Sequence, residues 1–229
     1  SMEAAVDRDP ADPRFLLELD QLYEAAGAPV AQRLARFGKD PAVTAKRDDT
    51  VAREAALLVE AGRFEDALKR LSGRQFHIWE GAGRTAVHNS YAAAHIGLGN
   101  RLASGGRHRE ALKEYEAALE YPVLLGTGRP LRGERLTETH YLLGRTCAAL
   151  GDAAGAAKHF AAAVETAPAT LLSAPPSSAD DAEMYYHASL ALEAAGRKDD
   201  AVRVARGLVD AGRAQLSAHV PMFFFASFG

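Results

Sequence analysis

The chain has 229 residues, of which 48% are hydrophobic and 25% are charged, and it carries a net charge of -3 at pH 7. This apolar content can fill a sizeable core in one extended domain or two compact ones. The slight negative charge and the lack of any run of five or more like charges argue against nucleic acid or an anionic membrane as a partner.

The start of the sequence carries neither a basic segment nor an apolar one, so it does not resemble an export signal. Ser1 stands before Met2, which indicates the remnant of a tag, and we expect residues 1–11 to be this remnant and a linker. No apolar run approaches the roughly 18 residues that a membrane span requires. A cytoplasmic location is therefore the expectation, without a membrane partner.

Four segments of the chain share one pattern, in which a glycine is followed five residues later by an alanine. The pairs are Gly62 and Ala67, Gly106 and Ala111, Gly151 and Ala156, and Gly196 and Ala201. Successive glycines are 44, 45 and 45 residues apart, and Gly27, 35 residues before Gly62, indicates a degenerate first unit. A fixed period of this length is typical of repeat proteins.

Apolar residues on both sides of each glycine recur at intervals of three and four, which predicts two amphipathic helices joined at the glycine. In the first unit, Asp12 caps a helix that has Pro13 at its first position. Its apolar face is expected to comprise Phe15, Leu16, Leu19, Leu22 and Tyr23, opposite Val30, Leu34 and Phe37 of the partner helix. The predicted fold of residues 12–215 is all-α, a right-handed superhelical stack of about five such hairpins.

The unit from Thr137 to Pro168 resembles the tetratricopeptide repeat, a motif of about 34 residues. The matching positions are Leu143, Gly144, Gly151, Ala156, Phe160, Ala163 and Pro168. Small residues at positions 144 and 156 would allow the two helices to approach closely, while Phe160 fills the space beneath them.

The period of 45 residues leaves about eleven extra residues per repeat, because the motif itself has about 34. They fall after the second helix of each hairpin, in a first insertion (residues 72–85), a second (residues 121–134) and a third (residues 167–180). Such connections emerge on one edge of a hairpin stack, so the insertions are expected to form a common rim. Long loops within a compact domain are often functional.

Over nearly its whole length, the chain resembles the C-terminal helical region of large bacterial tetratricopeptide proteins that begin with a mutarotase-like domain of unknown function. The most specific part is the family motif R-x-F-H-P-W-E-G-G-E-G, matched here by Arg74, Phe76, His77, Trp79, Glu80 and Gly81. The resemblance implies a carbohydrate-related context. Ile78 and Arg84 depart from the motif, and the second insertion lacks the polar residues that the family carries, which implies a changed or weakened site.

The candidate binding rim comprises residues of the first two insertions: Arg74, Phe76, His77, Trp79, Glu80, Arg84, Tyr121, Arg129, Arg132 and Glu134. Trp79 could stack on a sugar while His77 and Glu80 bind its hydroxyls. Alternatively, Phe76 and Trp79 plug the groove between hairpins, and the loop docks on a protein domain. The arginines could bind an anion or form solvated ion pairs on the rim.

Catalysis is not expected, because Glu80 and Glu134 are the only neighbouring carboxylates on the insertions, and glutamates near helix starts are common caps. No metal or other cofactor is expected either. His95 and His140 occupy equivalent positions of first helices, where packing aromatics are usual, and His88 lies two turns before His95, but no Cys or HExxH spacing supports a site. Cys147, the only cysteine, lies on an apolar helix face and should be buried. The apolar tail, residues 216–229, should pack on the last hairpin or lead into further sequence.

The sequence thus predicts a non-catalytic scaffold that binds a protein, with the N-terminal domain of the same parent chain as the expected partner. Two alternatives stay open. The rim, with Trp79, His77 and Glu80, could bind a saccharide or contribute to catalysis together with that domain, or the concave face of the helices could bind an extended peptide.

Overall fold

The computed structural model describes residues 2–77, 86–128 and 134–217, and these residues contain helices and no β-strand. The α-helices in these ranges are α1 (Met2–Arg8), α2 (Pro13–Ala25), α3 (Val30–Lys39), α4 (Pro41–Thr44), α5 (Asp48–Glu60), α6 (Phe64–Ser72), α7 (Ala86–Ser104), α8 (His108–Ala118), α9 (Glu134–Ala149), α10 (Ala153–Thr166), α11 (Ala179–Ala194) and α12 (Lys198–Ser217). A short 3-10 helix spans Val123–Leu125. The all-α prediction is therefore confirmed for these parts of the chain.

The chain divides into two compact units. The first comprises Ser1–Leu131 and Arg145–Asp152, and its hairpins are α2 with α3, α5 with α6, and α7 with α8. The second comprises Arg132–Gly144 and Ala153–Gly229, in which the first part of α9 pairs with α10, and α11 pairs with α12.

Glycines end the first helix of each hairpin, as the repeat pattern predicts. Gly27, Gly62, Gly106, Gly151 and Gly196 have φ angles of 70°, 71°, 75°, 79° and 78°. This left-handed conformation places the side chain of an L-residue too close to the backbone, whereas glycine adopts it without strain. The residue after each of these glycines donates its N–H to a carbonyl in the last turn of the preceding helix, for example Arg63 to Leu58 at 2.8 Å.

Part of the expected linker, residues 1–11, is helical. Helix α1 packs against α2, and the hydroxyl of Tyr23 donates a hydrogen bond of 2.5 Å to Oε1 of Glu3. Glu3 lies in the first turn and Arg8 in the last, so both charges complement the helix dipole.

The first hairpin forms largely as predicted. Asp12 caps α2 by accepting a hydrogen bond of 2.9 Å from the N–H of Arg14. Leu16 and Leu19 are buried, and Leu16 packs with Phe37 of α3. The prediction is wrong for Leu22, which is 54% exposed. Leu22 is six residues from Leu16 and so points about 120° away from it around the helix, which places it at the edge of the apolar face.

Close packing of helices at glycine is also confirmed. A Cβ added at Gly144 of α9 would lie 2.6 Å from the ring of Phe160 in α10. The same relation holds in the first unit, where a Cβ at Gly99 of α7 would lie 2.4 Å from the ring of Tyr115 in α8. Both glycines therefore allow an aromatic ring of the second helix to lie directly on the backbone of the first.

A buried charge network joins α2, α3 and α5. Asp20 is 2% exposed, and its carboxylate accepts hydrogen bonds from Arg33 Nε at 2.8 Å, Arg33 Nη2 at 3.0 Å and Arg53 Nε at 2.5 Å. Glu24 extends the network, with Oε2 at 2.5 Å from Arg53 Nη2 and Oε1 at 3.2 Å from Arg33 Nη2. Burial raises the pKa of Asp20, but the hydrogen bonds from the two arginines outweigh it and hold the pKa below its usual range.

Candidate functional site

The described parts of the first two insertions lie side by side in the first unit. The N–H of Phe76 donates a hydrogen bond of 2.8 Å to the carbonyl of Leu124, and Nε2 of Gln75 donates one of 3.3 Å to the carbonyl of Val123. These contacts join segments 48 residues apart in the sequence. The described parts of the two insertions, residues 73–77 and 121–128, therefore form one surface, which we call the joined rim.

A small apolar cluster supports the joined rim. Phe76 is 3% exposed and Leu125 is 1% exposed, and both pack with Val51, Ala55 and Leu71 of the second hairpin. Phe76 is thus a core residue of the first unit. Its ring is not accessible to a partner in this conformation.

Asp48, the first residue of α5, holds the first insertion in place. Its Oδ1 lies 2.7 Å from Nη2 of Arg74, and its Oδ2 accepts a hydrogen bond of 2.7 Å from the backbone N–H of His77. Arg74 Nη1 also donates to the carbonyl of Ala45 at 2.8 Å. Residues 74 and 77 of the insertion therefore contact the start of the same hairpin, and the side chain of Arg74 makes two of these contacts.

Two side chains of the joined rim face outward. The side chain of His77 is 81% exposed, although its Nδ1 lies 3.4 Å from Asp48 Oδ2. Val123 is 87% exposed. Beside His77, a shallow pocket of about 310 Å³ is lined by Lys46, Arg47, Asp48, Asp49, Arg74 and His77.

Tyr121 lies at the base of the second insertion and stacks on His88 of α7, with ring centroids 3.7 Å apart and an interplanar angle of 8°. His88 is 3% exposed, and its Nε2–H donates a hydrogen bond of 2.9 Å to the carbonyl of Glu120. Burial lowers the pKa of His88. The hydrogen bond to Glu120 raises it, but by less. The stack fixes the point at which the second insertion leaves α8.

Five of the predicted rim residues, Trp79, Glu80, Arg84, Arg129 and Arg132, lie outside the described residues. Glu134 is the first residue of α9. Their proposed roles in binding stay predictions.

The third insertion belongs to the second unit and packs on α11. Leu171 is 5% exposed and lies in a core cluster with Tyr185 and Leu192. The hydroxyl of Tyr185 lies 3.0 Å from Oγ1 of Thr170 and donates to the carbonyl of Ala174 at 3.0 Å. Ser178 then caps α11 by accepting a hydrogen bond from the N–H of Asp181. Ala167 and Leu171 of this insertion are thus buried in the core, whereas most of its other residues are exposed.

An aromatic patch on first helices of the second unit was not identified from the sequence. Tyr141 of α9 and His187 of α11 have ring centroids 6.0 Å apart, and Tyr186, which is 53% exposed, contacts His187 edge-on at 5.1 Å. Tyr141 and Tyr186 each stand ten residues before the turn glycine of their hairpin. This repeated spacing was the signal that could have found the patch.

The other histidines on first helices each contact a residue of the following helix. His95 Nδ1 lies 2.8 Å from Glu114 Oε2, and His140 Nδ1 lies 3.2 Å from His159 Nδ1. In the described ranges, no group of three or more His, Cys, Asp or Glu residues is placed to hold a metal ion.

Cys147 of α9 is 5% exposed, as predicted for a packing residue. Burial is the main cause that raises the pKa of its thiol, and the nearby carboxylates of Asp152 and Glu116 raise it further. None of the helices described here is both long enough and apolar enough to cross a membrane.

The comparisons with known proteins agree with the repeat pattern. Residues 137–170 match the model of the family described as Tetratricopeptide repeat. Among solved structures, the chain is similar to TPR-like repeats of a Podosopora anserina protein assigned as a kinesin light chain, with 14% identity over 91% of this chain and 99% of that chain and a TM-score of 0.45. It is also similar to YrrB, a TPR protein with an unusual peptide-binding site, with 14% identity over 94% of this chain and 94% of that chain and a TM-score of 0.43. The matched segment covers most of α9 and all of α10, so the chain contains a tetratricopeptide repeat in this hairpin.

Proposed function

We propose that the chain is a non-catalytic scaffold that binds a protein partner through the joined rim. The observation that carries the proposal is the pairing of the first two insertions between Phe76 and Leu124. Helical repeats generally serve as binding surfaces, and their per-repeat insertions project on one face. Here hydrogen bonds join the described parts of two insertions into one surface, so its backbone loses little conformational freedom when a partner binds.

The chemistry of the joined rim suits a protein partner. Val123 offers an exposed apolar contact, while His77 and the charged residues around the adjacent pocket offer polar contacts at its edge. An apolar centre with a polar border is the usual composition of protein interfaces. We further propose that the partner is the N-terminal domain of the same parent chain, as the resemblance of RQFHIWEG implies, in a carbohydrate-associated protein of bacterial type.

Binding of that separately expressed domain to the immobilised chain tests the proposal. Val123→Asp places a charge at the apolar centre, and we expect it to weaken binding by about tenfold or more, the effect of losing a central contact. Leu22→Asp is the matched control. Leu22, like Val123, is an exposed aliphatic residue of the first unit, but it lies on α2, outside the rim. Equal affinity of the two variants would contradict a role for the rim.

The saccharide alternative has its own measurement. Trp79 is the only tryptophan of the chain, so its emission reports on the first insertion. Titration with a panel of monosaccharides and disaccharides would give saturable quenching if the rim binds sugar. A flat response with every saccharide, together with domain binding, supports docking alone.

The aromatic patch favours a second candidate function, the binding of an extended peptide by the first helices of the second unit. Tyrosines at equivalent positions of neighbouring repeats can contact successive side chains of a peptide. Tyr141 and Tyr186 stand at the same position of their hairpins, and of the two Tyr186 is exposed while Tyr141 is partly buried.

Two variants separate these functions. Tyr186→Ala should weaken the binding of short synthetic peptides and leave domain binding unchanged, whereas Val123→Asp should have the opposite pattern. Tyr186 is 53% exposed, so its truncation should change the helical content little. If Tyr186→Ala and Val123→Asp reduce neither interaction, both candidate surfaces are wrong.

A further inference from the structure

Two histidines face each other in the second unit. Nδ1 of His140 in α9 lies 3.2 Å from Nδ1 of His159 in α10, and the ring centroids are 5.4 Å apart. The two residues are 19 apart in the sequence and lie on different helices, so no short motif marks the pair. Imidazole nitrogen is the commonest side-chain ligand of metal ions in proteins.

The repeat itself provides a comparison for this pair. His95 of α7 and Glu114 of α8 stand 45 residues before His140 and His159, at the equivalent positions of the preceding hairpin. There Nδ1 of His95 lies 2.8 Å from Oε2 of Glu114. A carboxylate only accepts, so this Nδ1 carries a hydrogen. In the second unit a nitrogen replaces the carboxylate oxygen, and both partners can offer a lone pair.

The separation of the two nitrogens suits two ligands of one metal ion. At a metal–nitrogen distance of about 2.0–2.1 Å, neighbouring ligands are about 2.9 Å apart in square-planar or octahedral geometry and about 3.4 Å apart in tetrahedral geometry. The 3.2 Å between the Nδ1 atoms of His140 and His159 lies between these values. Helices α9 and α10 therefore hold the two nitrogens at the distance that a shared ion requires.

The orientation of the rings can adapt to an ion. Their planes are inclined by 27°, and the two lone pairs converge on one point when each ring turns about its Cβ–Cγ bond. This torsion has a broad energy minimum in histidine, so the turn costs little. Each ring binds the ion as the tautomer with its hydrogen on Nε2, which leaves the lone pair on Nδ1.

We propose that His140 and His159 together bind one divalent ion of the late first-row transition metals, Zn²⁺, Ni²⁺ or Cu²⁺. Imidazole suits these metals, whereas Mg²⁺ and Ca²⁺ prefer oxygen ligands. Both residues are partly exposed, so water can reach the ion and occupy its remaining coordination positions. The bound ion joins α9 to α10 within the hairpin that matches the tetratricopeptide model. The proposal does not depend on the joined rim.

The site has two protein ligands, since the described residues include no group of three or more His, Cys, Asp or Glu placed around one ion. Cu²⁺ is therefore the probe of choice, because nitrogen sites bind it more tightly than the other divalent ions of this series.

Calorimetric titration of the full chain, free of any affinity tag, with Cu²⁺ tests the proposal. We expect His159→Gln to weaken binding by about tenfold or more, because it removes one ligand and keeps a polar side chain. His140→Gln should have the same effect. His95→Gln is the matched control, since it removes the histidine at the equivalent position of the first unit, and it should bind as the wild type does. Circular dichroism verifies that each variant keeps its helices.

Electron paramagnetic resonance of the bound Cu²⁺ counts its nitrogen ligands. The spectrum should show two imidazole nitrogens in the wild type and in His95→Gln, and fewer in His159→Gln. Equal affinities of the wild type, His140→Gln and His159→Gln would overturn the proposal, because the ion would then bind elsewhere. The absence of saturable binding by the wild type at millimolar Cu²⁺ would overturn it as well.

Discussion

At Gly99 and Gly144, the absence of a side chain allows two helices to pack closely. The ring of Tyr115 lies against Gly99, is 1% exposed and donates its hydroxyl hydrogen to Asn100 Oδ1 at 2.7 Å. The ring is therefore held both by packing and by a hydrogen bond. A methyl group on residue 99 would displace it, because buried aromatic rings have little free space around them.

We therefore expect Gly99→Ala to lower the free energy of unfolding relative to a matched control, Gly38→Ala. Both substitutions gain similar helix propensity, up to about 1 kcal/mol. Only the first creates overlap, since a Cβ at Gly38 meets no atom within 4 Å. The difference should be about 1–3 kcal/mol, the usual cost of overpacking. Urea unfolding followed by circular dichroism measures it, and equal values would show that Tyr115 moves without cost.

Asp20 is a second residue whose replacement has a defined consequence. Asp20→Asn removes the closer of the two carboxylates that pair with Arg33, which is 4% exposed, and leaves only Glu24 Oε1 at 3.2 Å. A buried charge left wholly without its partner costs about 3–5 kcal/mol, so we expect a loss that approaches this range and exceeds about 1 kcal/mol. The control is Asp66→Asn, because Asp66 pairs with Arg63 at 2.6 Å with both side chains about half exposed. Such exposed pairs contribute less than about 1 kcal/mol. Similar losses in the two variants would be inconsistent with a buried network.

Among the elements, the first insertion depends on one carboxylate. Asp48 accepts from the backbone of His77 and pairs with Arg74, whereas its neighbour Asp49 pairs locally with Arg47. We expect Asp48→Ala to increase hydrogen exchange at the amides of Phe76 and His77 by about tenfold or more, because each lost hydrogen bond to a charged group contributes about 1.5–3 kcal/mol.

The matched variant Asp49→Ala should leave these two amides protected. Exchange measured by mass spectrometry or NMR distinguishes the two. If both variants expose the insertion equally, its order depends on the start of α5 as a whole and not on Asp48.

The hairpins could be predicted from the sequence because their signals are local. Gly62, Gly106, Gly151 and Gly196 mark the turns, and Asp12 with Pro13 marks a helix start. The pairing of Phe76 with Leu124 could not be predicted, since backbone hydrogen bonds between distant loops leave no periodic trace. Asp20 was also missed: an acidic residue on an amphipathic helix is ordinarily solvated, and its burial follows only from the positions of Arg33 and Arg53 on two other helices.

For the whole molecule, the ionisable groups predict a maximum of stability near neutral pH. His88 has a pKa below its ordinary 6.5, and Asp20, Glu24, Asp49 and Asp181 have pKa values below their usual range. In each case the unfolded chain binds the proton more readily, so the stabilising contribution is present above the unfolded pKa and is lost as the pH falls. The loss should begin below about pH 6.5 through His88 and become steep below about pH 4.

At alkaline pH the sign is reversed. The pKa of Cys147 is raised above its ordinary 9.0, so its contribution is present below that value and is lost as the pH rises through it. Thermal unfolding from pH 3 to pH 10 measures the full profile. His88→Gln can keep the hydrogen bond to Glu120. This variant should lack the loss of stability that begins below about pH 6.5 and retain the steep loss below about pH 4. A wild-type profile without any change between pH 5 and 6.5 would contradict the burial of a neutral His88.

The five turn glycines also have a stereochemical consequence. Their φ angles of 70° to 79° are the mirror image of the conformation that L-residues prefer, and therefore the natural conformation of a D-amino acid. Around Gly62 and Gly196 no atom lies within 4 Å of an added Cβ in the L configuration, so these turns are open. In a chemically synthesised chain, D-alanine at these turns would preserve the backbone and restrict the unfolded chain, gaining about 0.4–1 kcal/mol per site. Each of these five achiral residues thus adopts the backbone conformation that a D-residue prefers.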